Sequence, residues 1–372
     1  MIATVADIIK VMESFAPSYL TEKWDNSGLQ VGKTDWPVRS IQVALDSSTD
    51  VLAAACEKNI DLLITHHPLI FKPLSSVDLD SHAGNILFMA LKHKISIFTA
   101  HTNLDNAAGG LNDIFASKIG LRNVSVLVNS KDPKIYKIVV YAPVEFENKI
   151  LNTIFETKAG KIGEYTCCSF RNKGKGTFKP SAAAKPFIGK ANEISESDEF
   201  RIEMTVEKNS IESVINHIRK NHPYETMAYD VYPVMATEAK HGIGRIGDLD
   251  KKSDLASFAM DIKKKLKLSF VKFAGKPNLP INKAVVCTGS GSGQIENFFS
   301  SGADVFISGD LKYHDARAVE EAGVGLIDVG HFASEHLIVE VLAETLQNHF
   351  IEIGVDVNVE ACKIEKDPFI NL

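Results

Sequence analysis

Histidines and carboxylates cluster in four segments of this sequence, and two of these segments lie in its first third. His66 and His67 directly follow the apolar run DLLIT, and His101 and Asp105 follow the run ISIFTA. Imidazole and carboxylate groups bind transition metals, and histidine also exchanges protons near neutral pH. The two segments therefore indicate metal binding or proton transfer. The alternatives are structural histidines and, for Asp105, a role in a turn or helix cap.

The other two segments lie near the C-terminus. In GLIDVGHFASEHLIVEVL, His331 and Glu335 are four residues apart. If a helix begins near residue 332, both side chains lie on one face, one turn apart, and can grip a cation together. The segment ADVFISGDLKYHDA offers Asp310, His314 and Asp315, which can orient ligands or transfer protons. Asp310 fits a helix cap equally well.

Taken together, these residues predict a dinuclear metal centre. The expected ligands are His66, His67, Asp105, His331 and Glu335. This donor set holds nitrogen and oxygen but no thiolate, which favours Zn, Mn, Fe or Co over Ca. Two close ions can generate hydroxide at neutral pH, so we expect hydrolytic chemistry. His101 and His314 are the candidates for proton transfer in that reaction.

Alternating strands and helices must position these residues. The predicted strands of the flanking regions span 40–46, 60–64, 95–100, 285–287, 305–308, 326–329 and 355–360. Helices are predicted between them, beginning with one capped by Thr4 and Asp7. This alternation is typical of a largely parallel α/β sheet, in which ligands bind at the carboxyl ends of the strands.

The middle of the chain has a different pattern. Strands at 136–142, 201–206 and 229–233 and helices at 145–157 and 211–221 suggest a ferredoxin-like split βαβ module. We therefore expect residues 128–235 to form a domain inserted into an α/β domain made of 1–127 and 236–372. Between its elements, 171–190 contains five Lys, one Arg and no acid. This stretch is either a solvated loop or an anion-binding loop.

The glycine-rich segment CTGSGSGQ follows a predicted strand and has three interpretations. It resembles a dinucleotide-binding fingerprint, but Gln294 stands where that motif needs Gly or Ala. Its N–H groups can alternatively cradle a phosphate. The simplest interpretation is a tight turn that lets the backbone approach a neighbouring group.

Composition limits the classes of protein further. The chain has 372 residues, with 41 Lys and Arg against 47 Asp and Glu, so its net charge of −6 argues against a nucleic-acid binder. Its five cysteines form no C-x-x-C pair, which argues against a disulfide framework or a cysteine-rich zinc module. The sequence shows no signal peptide and no long apolar run, so we expect a cytoplasmic protein without a membrane partner.

Six motifs, in order along the chain, carry a resemblance to a known family. They are WDNSGLQVG (24–32), ITHHPLIF (64–71), HTNLD (101–105), GSGSG (289–293), ADVFISGDLKYHDA (303–316) and DVGHFASE (328–335). The chain resembles the family of GTP cyclohydrolase 1 type 2 homologues, also called NGG-interacting-factor-3-like proteins. The resemblance covers about 1–127 and 236–372. Within the middle region, HPYETMAYDVYPV (222–234) resembles the PII-like or CutA-like module of longer members.

The resemblance implies a fold, an assembly and a site. The fold is a two-lobed α/β metal-binding domain with an inserted ferredoxin-like (PII/CutA-like) α+β domain, assembled into a homohexameric toroid. Two divalent ions, with Zn preferred, would be bound by the same residues: His66, His67, Asp105, His331 and Glu335. The family name implies GTP ring opening, although hydrolysis of another nucleotide or phosphorylated anion fits the residues equally well. The alternative is a non-catalytic metal-binding regulatory or interaction protein.

Overall fold

The chain forms two compact units. The computed structural model describes residues 2–129, 135–162, 165–234 and 241–370. The first unit combines Met1–Ser130 with Ala239–Leu372, and the second unit is Lys131–Glu238. Both contain helices and sheets, so the expectation of a mixed α/β protein is confirmed. No helix in the described ranges is long and apolar enough to cross a membrane.

The elements of the first unit that precede the second unit end at residue 129. They are β1 (Ala3–Thr4), α1 (Val5–Phe15), β2 (Gly28–Val31), β3 (Pro37–Val38), β4 (Ser40–Ala44), α2 (Thr49–Glu57), β5 (Leu62–Thr65), α3 (His82–His93), β6 (Ser96–Thr99), α4 (Thr102–Asn106), α5 (Leu111–Ile119) and β7 (Leu121–Asn129). Helix α1 begins at the predicted cap, where the Thr4 N–H donates to Asp7 Oδ2 at 3.1 Å.

The remaining elements belong to the second unit and to the rest of the first. The second unit contains β8 (Ile135–Pro143), α6 (Glu147–Phe155), β9 (Phe170–Phe178), β10 (Ser195–Glu207), α7 (Ile211–Asn221) and β11 (Tyr229–Pro233). The first unit then continues with β12 (Gly242–Asp254), α8 (Leu255–Lys265), β13 (Lys272–Ala274), β14 (Pro280–Ser290), α9 (Ile295–Ser301), β15 (Val305–Gly309), α10 (Tyr313–Ala322), β16 (Gly325–Asp328), α11 (His331–Glu335), α12 (Leu337–Glu352) and β17 (Asn358–Ala361).

Two larger sheets build the first unit. In the first sheet the strand order is β17-β4-β5-β6-β2, and all neighbours are parallel except β2, which is antiparallel to β6. The central strands β5 and β6 are buried along their whole length, as their largely apolar sequences predict. Helices α1, α2, α3 and α12 contribute apolar side chains to the core around this sheet. Strands β4, β5 and β6 correspond to the strands that the sequence predicts at 40–46, 60–64 and 95–100.

The second sheet of the first unit mixes parallel and antiparallel neighbours. Its order is β13-β16-β15-β14-β12-β7, and β14, β15 and β16 run parallel. Long antiparallel strands β12 and β7 complete one side, and β13 pairs with β16 at the other. Parallel strands that end together place the residues after β15 and β16 at one edge.

In the second unit, one antiparallel sheet packs against two helices. Its order is β11-β8-β10-β9, and α6 and α7 share an apolar core with β8 and β10. The interpretation of 171–190 as a loop throughout is wrong in its first half, because β9 spans Phe170–Phe178. Its lysines and glycines occupy an edge strand, where charged residues prevent further strand pairing.

Candidate metal centre

The first group of candidate ligands lies at the carboxyl ends of β5 and β6. The N–H groups of His66 and His67 donate to the carbonyls of Ala44 and Leu45, so the chain stays beside the end of β4. His101 follows β6 and caps α4, which carries Asp105. Ligand atoms of three histidines come within 4.8 Å of one another here, namely those of His66, His67 and His101.

The second group joins the two sheets of the first unit. His331 begins α11 and Glu335 ends it, so the short helix places them one turn apart as the spacing predicts. His331 Nε2 lies 2.9 Å from Glu335 Oε2. His67 Nε2, which comes from the first sheet, lies 2.9 Å from the same Oε2 and 3.3 Å from His331 Nε2. His67 therefore belongs to both groups.

Each of the four histidines has an oxygen partner for Nδ1. The pairs are His66 with the Ala100 carbonyl at 2.9 Å, His67 with Asp46 at 2.9 Å, His101 with Asp25 at 2.8 Å and His331 with Asp310 at 2.7 Å. Oxygen acceptors at Nδ1 fix the orientation of the ring and leave Nε2 available to a metal. Such partners are usual for metal-binding histidines.

Two buried polar atoms beside these groups have no hydrogen-bond partner among the residues that the structure describes. They are His66 Nε2 and Asp105 Oδ1, which lie 3.8 Å apart. Glu335 Oε1 lies 3.7 Å from the same His66 nitrogen. Buried polar atoms are nearly always hydrogen-bonded, so unsatisfied donor atoms that face one another need an explanation. A divalent cation between them satisfies both, and the residues therefore fit the metal that the sequence predicts.

The charges of the site support a cation as well. Burial would lower the pKa of His67, but hydrogen bonds to Asp46 and Glu335 outweigh this effect and raise the pKa to about 10. The hydrogen bond to Glu335 is the main cause that raises the pKa of His331 to about 9. Burial acts to raise the pKa of Glu335, yet the neighbouring histidines hold it well below its usual range. Without metal, protons on the imidazoles therefore balance the carboxylate charge.

A glycine of the GSGSG segment packs directly against the site. Gly289 has a φ of +67°, and a Cβ built on it would lie 2.1 Å from Glu335 Oε1. Its N–H donates to Ser334 Oγ at 2.8 Å. These contacts are those of a tight turn that lets the backbone approach a neighbouring group. Asp310, which a dinucleotide fingerprint would place against a ribose, instead binds His331.

A family model matches nearly the whole chain. The Duf34/NIF3 (NGG1p interacting factor 3) model covers residues 3–368. The chain belongs to this family. The resemblance inferred from the six motifs is confirmed.

Full-length relatives support this membership of the Duf34/NIF3 family. A Bacillus subtilis protein named "GTP cyclohydrolase 1 type 2 homolog" is 37% identical over 362 residues, which cover 97% of both chains. A Halalkalibacterium halodurans protein of the same name is 34% identical and covers 99% of both. A crystal structure of a Bacillus cereus protein related to NIF3 aligns over 100% of both chains, with 33% identity and a TM-score of 0.81.

Not every residue singled out in this Duf34/NIF3 sequence joins the two groups. His101 belongs to the first group, although the sequence suggests that it transfers protons. Asp105 lies beside the first group through its contact with His66. His314 is exposed on α10 with its ring 5.4 Å from that of Tyr313, and neither ligand group of the described residues includes it.

Sequence reasoning missed three acids that position the candidate ligands. Asp46 lies just past the end of β4, so its place after an apolar strand was a usable signal. Asp25 lies in the first family motif, but nothing in its spacing pointed to His101. Glu365 is far along the chain, yet its carboxylate accepts the N–H groups of Leu45 and Asp46 at 2.9 to 3.0 Å. This contact holds Asp46 where it can bind His67.

Two exposed aromatic side chains lie beside the first ligand group. Trp24 is 62% exposed and Phe71 is 46% exposed, and their ring centroids are 6.0 Å apart. The Trp24 ring lies 6.3 Å from that of His101, nearly perpendicular to it. Large aromatic rings that remain open to solvent beside candidate ligands form a surface on which a planar group can stack.

Proposed function

We propose that this protein is a metal-dependent hydrolase whose dinuclear centre is held by His66, His67, Asp105, His331 and Glu335. One observation carries the proposal. The two carboxylate oxygens of Glu335 face different ligand groups, since Oε2 lies 2.9 Å from Nε2 of His67 and of His331, while Oε1 faces His66 at 3.7 Å. A carboxylate in this position can bridge two ions.

His101 completes the first ligand group in this proposal. Its Nδ1 is held by Asp25, so its other ring nitrogen is free to act as a ligand beside His66. We assign it this role in place of proton transfer, because its ligand atom lies within 4.8 Å of those of His66 and His67. The nitrogen and oxygen donors suit Zn first, and also Mn, Fe or Co.

The chemistry follows from the donor set and its supports. Two divalent ions bound here would polarise a substrate oxygen and lower the pKa of water towards neutrality. Asp46, Asp25 and Asp310 fix three of the imidazole rings and strengthen them as ligands. These three carboxylates therefore hold the imidazole rings in place during the reaction.

The proposed substrate is a nucleotide. The exposed rings of Trp24 and Phe71 favour a planar base beside the centre over a simple phosphoester. The relatives named GTP cyclohydrolase 1 type 2 homologs suggest GTP, and the reaction to test first is opening of its purine ring.

Loading the purified protein with metal tests this function. Zn-, Mn-, Fe- and Co-loaded samples should convert GTP or another nucleotide, and chelated samples should not. His67→Ala should abolish conversion, whereas His93→Ala at the exposed end of α3 should keep it. Trp24→Ala should raise KM with less effect on kcat. Activity that survives verified metal loss contradicts the proposal. Metal binding without conversion of any nucleotide favours the non-catalytic alternative.

We propose further that the second unit is the ferredoxin-like, PII/CutA-like module of this family and that the protein is a homohexamer. The order of elements β8-α6-β9-β10-α7-β11 supports the first statement, because it is the βαββαβ order of ferredoxin-like folds. The second rests on the family resemblance and on the prevalence of closed symmetry in oligomers. Light scattering tests it, and a monomeric mass would contradict it.

A further inference from the structure

We propose that the second unit carries a binding site of its own, for an organic cation with an aromatic body. The site is a cavity of about 440 Å³ between the end of β9, the chain that follows it, Glu199 of β10 and residues 224–228. This volume lies in the range of small-molecule pockets. The cavity lies within the second unit and shares no lining residue with the candidate metal centre.

Aromatic and proline side chains form the walls of the cavity. Phe178, Phe187 and Tyr224 contribute rings, and Pro180 and Pro186 lie beside them. The Phe187 ring is 6.2 Å from that of Tyr224, and its side chain remains 49% exposed. Apolar walls with a half-exposed ring favour a ligand that buries a flat apolar body.

A buried carboxylate provides the polar end of the cavity. Glu199 is only 8% exposed, and its Oε1 accepts the hydroxyl proton of Tyr224 at 2.7 Å. Its Oε2 lies against Gly176, where a Cβ would come within 2.4 Å of it. No lysine or arginine pairs with Glu199 among the residues that the structure describes. A carboxylate withdrawn from water without a cation is costly, and a bound cation removes that cost.

The neighbouring acid on the same strand shows the contrast. Glu203 is as buried as Glu199, at 9% exposure, but Lys137 lies 2.8 Å from its Oε2 and Arg201 contacts its other oxygen. Cations of β8 and β10 therefore neutralise one buried carboxylate of this strand, whereas the other faces a cavity. This difference marks Glu199 as the group that binds a ligand.

The charges around the cavity favour a cation over an anion. Its lining includes two acids, Glu199 and Glu225, against one lysine, Lys179. Another lysine of this stretch, Lys175, pairs with Glu196 at 3.1 Å. An ammonium group can donate to Glu199 while its body contacts the faces of Phe187 and Tyr224, where cation–π attraction adds to the ion pair.

The test measures binding of three probes that share a phenethyl body and end in an ammonium, a carboxylate or a hydroxyl group. Calorimetry on the full-length, metal-loaded protein should detect phenethylammonium, and detect 3-phenylpropionate and 2-phenylethanol at least about tenfold more weakly. Glu199→Gln should weaken phenethylammonium binding about tenfold or more, since it removes the charge but keeps the acceptor. The matched control is Glu196→Gln, an exposed acid on the same strand, which should leave the affinity within about twofold.

A second variant distinguishes the loss of a ligand contact from the loss of folding. Phe187→Ala removes a half-exposed ring at the cavity and should also weaken phenethylammonium binding while the circular dichroism spectrum stays unchanged. The proposal is overturned if wild-type protein fails to bind phenethylammonium at millimolar concentration. It is equally overturned if 3-phenylpropionate binds as well, or if Glu199→Gln and Phe187→Ala both bind as wild type does.

Discussion

Asp310 holds His331 from a strained position. Its Oδ2 lies 2.7 Å from His331 Nδ1, and its backbone has a φ of +51°, in the left-handed region that non-glycine residues seldom adopt. The preceding Gly309 lets the end of β15 approach α11 closely, because a Cβ there would lie 2.6 Å from His331 N. Strain of this kind persists where the surrounding structure imposes it, often at functional sites.

Removing this contact should weaken metal binding. Asp310→Ala frees the His331 ring to turn and lowers its basicity, so the affinity for Zn should fall by about 10- to 100-fold. Competition against a chromophoric chelator measures the change. Asp356→Ala, at an exposed acid, serves as control and should match wild type. Equal affinity for wild type and Asp310→Ala would show that Asp310 does not support the ligand.

Gly289 should be intolerant of a side chain because of the metal site. In Gly289→Ala the new Cβ would lie 2.1 Å from Glu335 Oε1 and would be attached at a positive φ, so Glu335 must move. We expect reduced metal content by elemental analysis. Gly302→Ala is the matched control, since Gly302 has a φ of +71° and a Cβ there meets nothing within 4 Å. A Gly289→Ala protein with full metal content would contradict the assignment of Glu335.

Metal binding should release protons at neutral pH. Because the pKa of His67 is raised to about 10 and that of His331 to about 9, both are protonated near pH 7.5 in the metal-free protein. The metal needs their neutral form, so these protons must leave. The same raised values give the metal-free protein stability that is full below about pH 6.5 and is lost as the pH rises through 9 to 10.

Calorimetry in two buffers of different ionisation enthalpy measures the released protons. At about pH 7.5 the apparent binding enthalpies in PIPES and HEPES should differ by the number of released protons times the difference between the two buffer ionisation enthalpies. His331→Ala should reduce this difference. Identical enthalpies in both buffers would mean that the imidazoles are already neutral in the metal-free protein.

A buried arginine should be important for stability rather than for chemistry. Arg245 on β12 is 1% exposed and forms two bonds to Asp113, at 2.7 and 2.9 Å, and further bonds to three carbonyls. Arg245→Ala should cost about 3–5 kcal/mol, because it leaves three carbonyls and the partly buried Asp113 without their partner. Chemical denaturation measures this. The exposed Arg122 provides the control, and Arg122→Ala should stay within about 0.5 kcal/mol of wild type. A similarly small effect for Arg245→Ala would contradict the prediction.

The position of the first group of candidate ligands was largely predictable, because short-range sequence patterns determine it, although the sequence suggested proton transfer for His101. The apolar runs before His66 and His101 have the length and composition of buried strands, and both strands end at the same edge of a parallel sheet. The pair His331 and Glu335 was predictable from helical spacing alone. In each case a short-range pattern determines where the side chain points.

The residues that sequence reasoning missed take their positions from contacts between distant segments of the chain. Asp25 meets His101 across 76 positions, and Glu365 meets Asp46 across 319. No periodicity connects such residues, since the folded chain alone brings them together. Strand β9 was missed for a related reason: its lysines and glycines have low strand propensity, and pairing with β10 along the sheet edge overrides that preference.

Glu335 would contact both ions of the proposed two-metal centre, and the number of bound ions tests this arrangement. Protein loaded with excess Zn and freed of unbound metal should contain two Zn ions per chain by elemental analysis, and Glu335→Gln should contain at most one. Two ions retained in Glu335→Gln, or one ion or none in the wild type, would contradict the account.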